Sequence, residues 1–580
     1  MFESQLEQPP IPSSDAFNYI FHRGRRAYPW GKVLYRVDGS DETLTLAQLE
    51  EQSRRLAMAF KMNYDIEPNS VISIYAKNRI QFPVAFFGAL AAGATIALIP
   101  LQDGMSATDI ASRLVQSKSK LLITDSSLLG LSECASSLAG CIRLVTMDNA
   151  DDLTPDMASL ISQFPADLAM FDLRTPEASA EHDAFINRTS GSTGAMKSVL
   201  TTHRHYIATL EGTVRTVPSN TDPATDHWLA SSSLGFFINA KLFMSLNILL
   251  GVPVVIMPEP MDERSISAIT RHQITFLLVF PPLVSKLAKS DILPEETTSL
   301  KWLLSAGASI PDNLRNSLAQ KLPGIDLTLE WGTSETMLIA IQTGDSATRK
   351  TGSSGTLVNG MQTRVISTVT GEDLGPNERG EVLVRNNLAP FKGYKDNEVA
   401  NRDFDSDGWF HTGDFGYLDA GCNVYIIDRL KELLRVGDGY GSRISVTELE
   451  DAVFDHPAVH SVVVVGVWDE ASATAHPTAF VVPTPAYLPS AGHSLAMEID
   501  QYAGTKLTGL KTLTGGVYLI ESYPSTGFKI NRRALKTIER NEATRCVPPL
   551  QGLEPAPLKR VDSAIVMMNV LPLTTPTPSS

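Results

Sequence analysis

The segment Phe185–Tyr206, FINRTSGSTGAMKSVLTTHRHY, holds the densest set of groups that could do chemistry. Gly191 and Gly194 let the backbone approach a ligand and aim successive N–H groups at an anion. Thr189, Ser190, Ser192 and Thr193 add hydroxyl donors, and Lys197 adds a positive charge. Those parts suffice to hold a triphosphate. The spacing GSTGAMK departs from GxxxxGK[ST], so this is not a Walker loop. Read alone, the segment fits either an anion cradle or a Ser/Gly-rich surface loop.

Elements able to position such a loop are legible around it. Short β-branched runs (70–76, 121–125, 143–147, 252–258, 274–280) alternate with helix-length segments such as Ala107–Ser117 and Ser265–His272. That alternation predicts an α/β fold with mainly parallel sheets. Around Gly355–Tyr425 the texture turns to strands and turns, a small β-rich unit. After Asp428 the charged connector RLKELLR leads into a second α/β pattern, long enough for a small domain with its own core. The expected organisation is a large N-terminal domain over 1–428, a small mobile C-terminal domain over 429–545, and a weakly ordered tail over 546–580, in which SAIVMMNVL could dock.

With 580 residues, 43% hydrophobic and a net charge of −15, the chain reads as a soluble, acidic, multidomain protein. That charge argues against broad binding of nucleic acid or anionic membranes. Phe82–Gln102 carries no charge over 21 residues. Gly88, Gly93 and Pro100 break it into a buried helix through about Ala92 and a short strand, so no membrane span is expected. Cys134, Cys141, Cys422 and Cys546 form neither a disulfide framework nor a CxxC pair. A polar start without a signal-peptide core and the ending PTPSS lead to the expectation of a cytoplasmic enzyme.

In the string from Arg188 to Val199 the sequence resembles the adenylate-forming superfamily, whose members include acyl-CoA ligases, luciferases and the adenylation domains of peptide synthetases. Its signature [YF]TSG[ST]TGxxKxV is met except that Arg188 replaces the aromatic. SAGASI (305–310), EWGTSE (330–335), GEVLVRN (380–386) with GY (393–394), GWFHTGDFGYLD (408–419), DRLKELLR (428–435) and YPSTGFKINRRAL (523–535) resemble the later motifs, in family order. The resemblance covers roughly residues 20 to 540 and is nearest to stand-alone acyl-CoA ligases of fungal secondary metabolism.

It implies a two-step ligase. A carboxylate attacks the α-phosphate of ATP, and a thiol then attacks the acyl-adenylate. By the resemblance, Thr189–Gly194 and Lys197 hold phosphates, and Glu335 holds Mg²⁺ with Ser334 beside it. Trp331, Gly332 and Thr333 belong to the same nucleotide motif, with Trp331 offering a flat face to adenine. Gly307, Ala308 and Ser309 line the adenine pocket. Asp414 accepts from the ribose hydroxyls, and Arg429 adds a ribose or phosphate contact. Lys529 bridges carboxylate and α-phosphate, although GFK replaces the usual GK. Lys431 marks the hinge, followed by a glycine-rich insertion over 437–441.

The acid is expected beside SSSLGFFINAKLF (231–243), where Gly235 stands at or next to the acid of amino-acid-activating relatives. A buried ammonium without a partner is costly, so an α-amino acid is disfavoured. Phe236, Phe237, Trp331 and Met337 suggest an apolar or aryl acid, though both phenylalanines could equally be core. No carrier motif follows Asn531, which makes free coenzyme A the expected acceptor. A separate carrier protein, or a nucleotide-binding homologue without turnover, are the alternatives.

Overall fold

The computed structural model describes residues 1–546 except 8–9, 24–26, 103, 150–152, 167–170, 191–195, 259–262, 281–282, 285–286, 289–293, 308–309, 311, 345–348, 437–441, 470–473, 491, 508–510, 527–528 and 538–543. The chain divides into two compact units. The larger holds Met1–Leu283, Ser290–Ser309 and Ala319–Ile426; the smaller holds Val284–Lys289, Ile310–Leu318 and Ile427–Ser580.

The larger unit contains two sheets. In the six-stranded sheet, Arg143–Thr146, Ser119–Thr124, Val71–Ile74, Thr95–Leu98 and Asp183–Ser190 run parallel, and Met196–Thr202 closes it as an antiparallel edge. Val71–Ile74 and Thr95–Leu98 are buried at every position, as strands covered on both faces must be. The helix Gln81–Ala91 is buried almost all round, and Thr95–Leu98 follows at once. The uncharged stretch is therefore core. Among the described residues no helix is long and apolar enough to cross a membrane.

Among the described residues the second sheet has 14 strands. Val33–Val37, Val254–Ile256, Trp228–Ala230, Phe276–Val279, Trp302–Ala306 and Asp326–Thr333 pair in parallel. Met337–Ile341 then folds back antiparallel, and the strands of the β-rich segment follow it in the same sheet. A hairpin at residues 333–337 joins that segment to the parallel strands. Phe2–Glu3 ends the sheet against Gln362 and Thr363.

In the smaller unit Val459–Asp469 and Thr474–Pro483 form a hairpin, Gly516–Leu519 joins in parallel and Thr544–Cys546 closes the sheet. Val463, Val465, Phe480, Tyr518 and Leu535 make its core. Glu450, on the helix Val446–Phe454, meets Arg532 at 2.7 Å, and both bind the Val464 backbone. The connector RLKELLR is anchored near its end. Leu433 and Leu434 are buried, and Leu434 begins the strand Leu434–Val436. Two adjacent leucines end the charged run and tie it into the smaller unit. SAIVMMNVL and the 437–441 insertion lie outside the described residues.

Candidate functional site

Four of the expected residues converge within the larger unit. The strand Asp183–Ser190 pairs with Met196–Thr202 so that Thr189 faces Lys197 and Ser190 faces Met196. Gly191, Ser192, Thr193 and Gly194, between those pairs, lie outside the described residues, as does the Ser190 side chain. Lys197 is only 7% exposed. Its ammonium pairs with the Asp403 carboxylate and sits 4.7 Å from the centre of the Tyr394 ring. Such partners offset the cost of burying an ammonium.

The string EWGTSE forms the hairpin between Asp326–Thr333 and Met337–Ile341. The register shifts between Trp331 and Gly332, and Thr333 pairs with Met337. A Cβ on Gly332 would lie 1.9 Å from the Met337 carbonyl oxygen, so only glycine fits this close approach. The Thr336 N–H donates to Thr333 Oγ1 at 3.1 Å, which fixes the loop. Glu335 at its tip is buried, and Oε1 accepts the Tyr394 hydroxyl at 2.7 Å. Burial, followed by the neighbouring Glu335 charge, pushes the Tyr394 phenol far above its ordinary range, so it stays a neutral donor. Tyr394 thus links Lys197 to Glu335.

On the preceding strand the Trp331 indole N–H donates to Asp414 Oδ2 at 2.8 Å. Asp414 is 2% exposed, and its N–H is held by Thr412 Oγ1 at 3.0 Å. Tryptophan at this position supplies a flat face and also a donor that fixes the carboxylate. Gly307, just past the strand Trp302–Ala306, is exposed with φ 80° and open space around it; Ala308 and Ser309 lie outside the described residues.

Around the expected acid pocket the backbone is held by polar contacts. Asn78 donates to the Ser232 carbonyl at 2.9 Å and accepts the Leu234 N–H at 2.8 Å. A Cβ on Gly235 would lie 2.7 Å from the Ile99 carbonyl oxygen, so packing alone demands glycine there. The Phe237 ring lies 5.1 Å from Phe185 and 6.0 Å from Tyr206, against the main core. Phe236 is half-buried one residue before the helical stretch that starts at Phe237. Met337 Sδ accepts the Thr209 hydroxyl at 3.3 Å.

Sequence reasoning missed three parts of this region. Tyr394 stands in the quoted GY pair but carried no role. Asp403 has no motif of its own, since only folding brings it to Lys197. The third is the ion pair between Lys241, in the π-helical turn Ala240–Leu246, and Glu330, whose side chains are 4% and 7% exposed and meet at 2.5 Å. A lysine among apolar residues, beside a glutamate next to the nucleotide motif, was the available signal.

Arg429, Lys431 and Lys529 belong to the smaller unit. Arg429 ends the strand Asn423–Arg429, and Lys431 is exposed in the turn after it. Asp428 Oδ2 accepts from Ser445 Oγ and the Val446 N–H, both at 2.9 Å, tying that strand to the next helix. Lys529 pairs through its backbone with Thr526 in a short hairpin; its side chain lies outside the described residues. Arg532 is held by Glu450 rather than solvated, so the hairpin has a fixed base.

The family model described as AMP-binding enzyme matches residues 21–395, and its C-terminal domain model matches residues 448–528. The chain belongs to the AMP-binding enzyme family. It is similar to 4-coumarate-CoA ligase 1 of Narcissus pseudonarcissus, 26% identical over 86% of this chain and 90% of that protein. It is also similar to luciferin 4-monooxygenase of Photinus pyralis, 28% identical over 89% and 93%. Among solved structures, an anthranilate CoA ligase in complex with anthranoyl-AMP has a TM-score of 0.79 at 21% identity, covering 91% of this chain and 97% of that one. ATP-bound MatB from Rhodopseudomonas palustris has a TM-score of 0.77 at 19% identity, covering 90% and 98%. These likenesses agree with an α/β fold of a large N-terminal and a small C-terminal domain. The chain is an adenylate-forming enzyme that activates a carboxylic acid with ATP.

Proposed function

We propose that this protein is an AMP-forming acid–coenzyme A ligase acting on an apolar or aryl carboxylic acid. The observation that carries the reading is the Lys197–Tyr394–Glu335 cluster closing onto the phosphate hairpin. In step one an oxygen of the acid forms a bond to the α-phosphorus, the bond to the bridging oxygen breaks, and pyrophosphate leaves with the electron pair. In step two the acceptor sulfur, having lost its proton, bonds to the acyl carbon and AMP leaves.

Lys197 and the Thr189–Gly194 hydroxyls and N–H groups offset the charge of the outer phosphates. Asp414, fixed by Trp331, takes the ribose hydroxyls, and the indole face with Gly307, Ala308 and Ser309 borders adenine. Lys529 is assigned to the α-phosphate, and Arg429 to a ribose or phosphate contact. Glu335 fits Mg²⁺, because a buried carboxylate steadied by a neutral phenol is a hard oxygen ligand of the kind that ion takes together with phosphate oxygens. When bound, Mg²⁺ withdraws negative charge from those oxygens. Phe236, half-buried beside the core-packed Phe237, supports an apolar or aryl acid, and the coumarate and anthranilate ligases among the similar proteins point the same way. The string MKSVLTTH supports a place in secondary metabolism.

The test mixes the purified protein with ATP, Mg²⁺ and a panel of acids, reading pyrophosphate release and then thioester by mass spectrometry. Release with an aryl or alkyl acid and a coenzyme A-dependent product are expected. Adenylate without a coenzyme A thioester would transfer the reading to a carrier-protein acceptor. Similarity to a luciferase keeps the acceptor a question for this experiment. No release with any acid would leave a nucleotide-binding homologue without turnover.

A further inference from the structure

Arg188 stands where the family signature has an aromatic residue, and its setting is unusual. It lies on the strand that leads into the phosphate loop, paired with Ser198, while the next pair is Thr189 with Lys197. Successive strand residues face opposite ways, so Arg188 occupies the face of the hairpin away from Lys197 and toward the helix Ala107–Ser117. There its guanidinium donates to Gln116, a neutral partner. Its Nε is buried with no partner, and among the described residues its guanidinium meets Gln116 and no carboxylate.

The neighbouring charge is another arginine. Burial and then the proximity of Arg113 pull Arg188 down to about 10, and burial also lowers Arg113. Asp109, one turn earlier on the same helix, offsets part of that lowering by its charge, while it also caps the helix by accepting Ser106 Oγ at 2.6 Å. The other cations nearby are already occupied. Lys118 pairs with Asp396 at 2.7 Å, and Lys395 donates to the Ser117 carbonyl at 3.1 Å. Two half-buried guanidiniums thus share one acid, Asp109, and the one that meets a neutral amide, Arg188, has no carboxylate of its own among the described residues, in a chain of net charge −15.

We propose that Arg113 and Arg188 form a second anion site that takes a phosphate group, on the opposite face of the phosphate hairpin from Lys197. Guanidinium forks match phosphate oxygens with paired N–H donors. The source of the phosphate rests on the ligase reading: the nucleotide end of coenzyme A, or the phosphates of ATP and its leaving pyrophosphate.

Titration calorimetry with inorganic pyrophosphate, ATP, coenzyme A and 3′-dephospho-coenzyme A tests this on the full chain. Arg188→Phe restores the family's aromatic, Arg188→Lys keeps the charge, and Arg113→Gln removes the second guanidinium. Losing one charge-assisted contact should weaken the ligand concerned by about tenfold or more, with partial recovery in R188K. Loss with coenzyme A but not its dephospho form assigns the 3′-phosphate; loss with both assigns the diphosphate. Loss with ATP and pyrophosphate assigns the triphosphate side. Unchanged affinities in both R188F and R113Q, or no binding of any of the four by the wild type, overturn the proposal. Thermal melting checks each variant's fold, with Arg188→Gln replacing R188F if the latter melts early. Pyrophosphate release by the wild type, measured separately, shows whether the ligase reading itself has failed.

Discussion

Tyr394 is the residue on which the cluster turns. Its hydroxyl is donated to a buried carboxylate, and its ring lies beside the Lys197 ammonium. Tyr394→Phe keeps the ring and removes only the donor. A hydrogen bond to a charged group contributes about 1.5–3 kcal/mol, so pyrophosphate release should fall by about one to two orders of magnitude, with the Mg²⁺ requirement shifted upward. Unchanged release at every Mg²⁺ concentration would mean that Glu335 needs no help from Tyr394. For Lys529 the expectation separates the half-reactions. Lys529→Ala should lower adenylate formation by about two to three orders of magnitude, the usual effect of losing a key electrostatic donor. Thioester formation from supplied acyl-adenylate should suffer much less, and equal losses would mark a structural residue. The motifs made Glu335, Asp414 and Lys197 legible because their neighbours in sequence are also their signature. Tyr394 and Asp403 were not legible in those roles, because only packing across about 200 residues brings them to Lys197.

At the scale of elements, the Lys241–Glu330 pair joins the helical stretch after Phe237 to the strand that carries Trp331. Removing one partner of a buried ion pair leaves an uncompensated charge at a cost of about 3–5 kcal/mol, whereas replacing both by apolar residues is often close to neutral. Lys241→Met should therefore lower the melting temperature and the denaturant midpoint far more than the double change K241M with Glu330→Leu. If the single change is the milder of the two, the pair is not a structural tie. The elements themselves were well legible. The helix Ala107–Ser117 begins at a Ser106 capping box and matches its expected bounds, and the fully buried strands matched their β-branched runs. Less legible was how the elements join. The β-rich segment stands out in sequence because its composition changes, but composition does not tell that hydrogen bonds across the 333–337 hairpin make it part of the same sheet as the parallel strands. Strand pairing is a long-range property that local composition does not carry.

For the whole molecule, acid should be a general stress with a specific cause. His203 is fully buried, and its Nδ1 accepts the Ala16 N–H at 3.0 Å. Burial pulls its pKa down to about 3 and that of His205 to about 4. Below pH 6.5 the unfolded chain takes protons on these rings that the folded chain refuses, so stability falls from there toward pH 4. His203→Asn keeps an acceptor without a titrating ring, so its melting temperature should fall less steeply than the wild type's between pH 7 and 5; parallel curves would rule His203 out. The proposed hinge at Lys431 belongs to this scale too. A two-step ligase must reorient its small domain, and Lys431→Pro fixes φ in the turn after Arg429. Pyrophosphate release should largely survive and thioester yield should drop, both measured on one preparation; survival of both would exclude Lys431 as the pivot. The edge strand Phe2–Glu3 has a further consequence for how the protein is made. It pairs with Gln362 and Thr363, and Ser4 donates to the Leu357 carbonyl across 353 residues of chain. On the ribosome this strand emerges long before its partner exists, so at about 5–20 residues per second it waits exposed for tens of seconds. An edge left open that long invites mispairing, which makes synthesis speed and chaperone supply determinants of soluble yield.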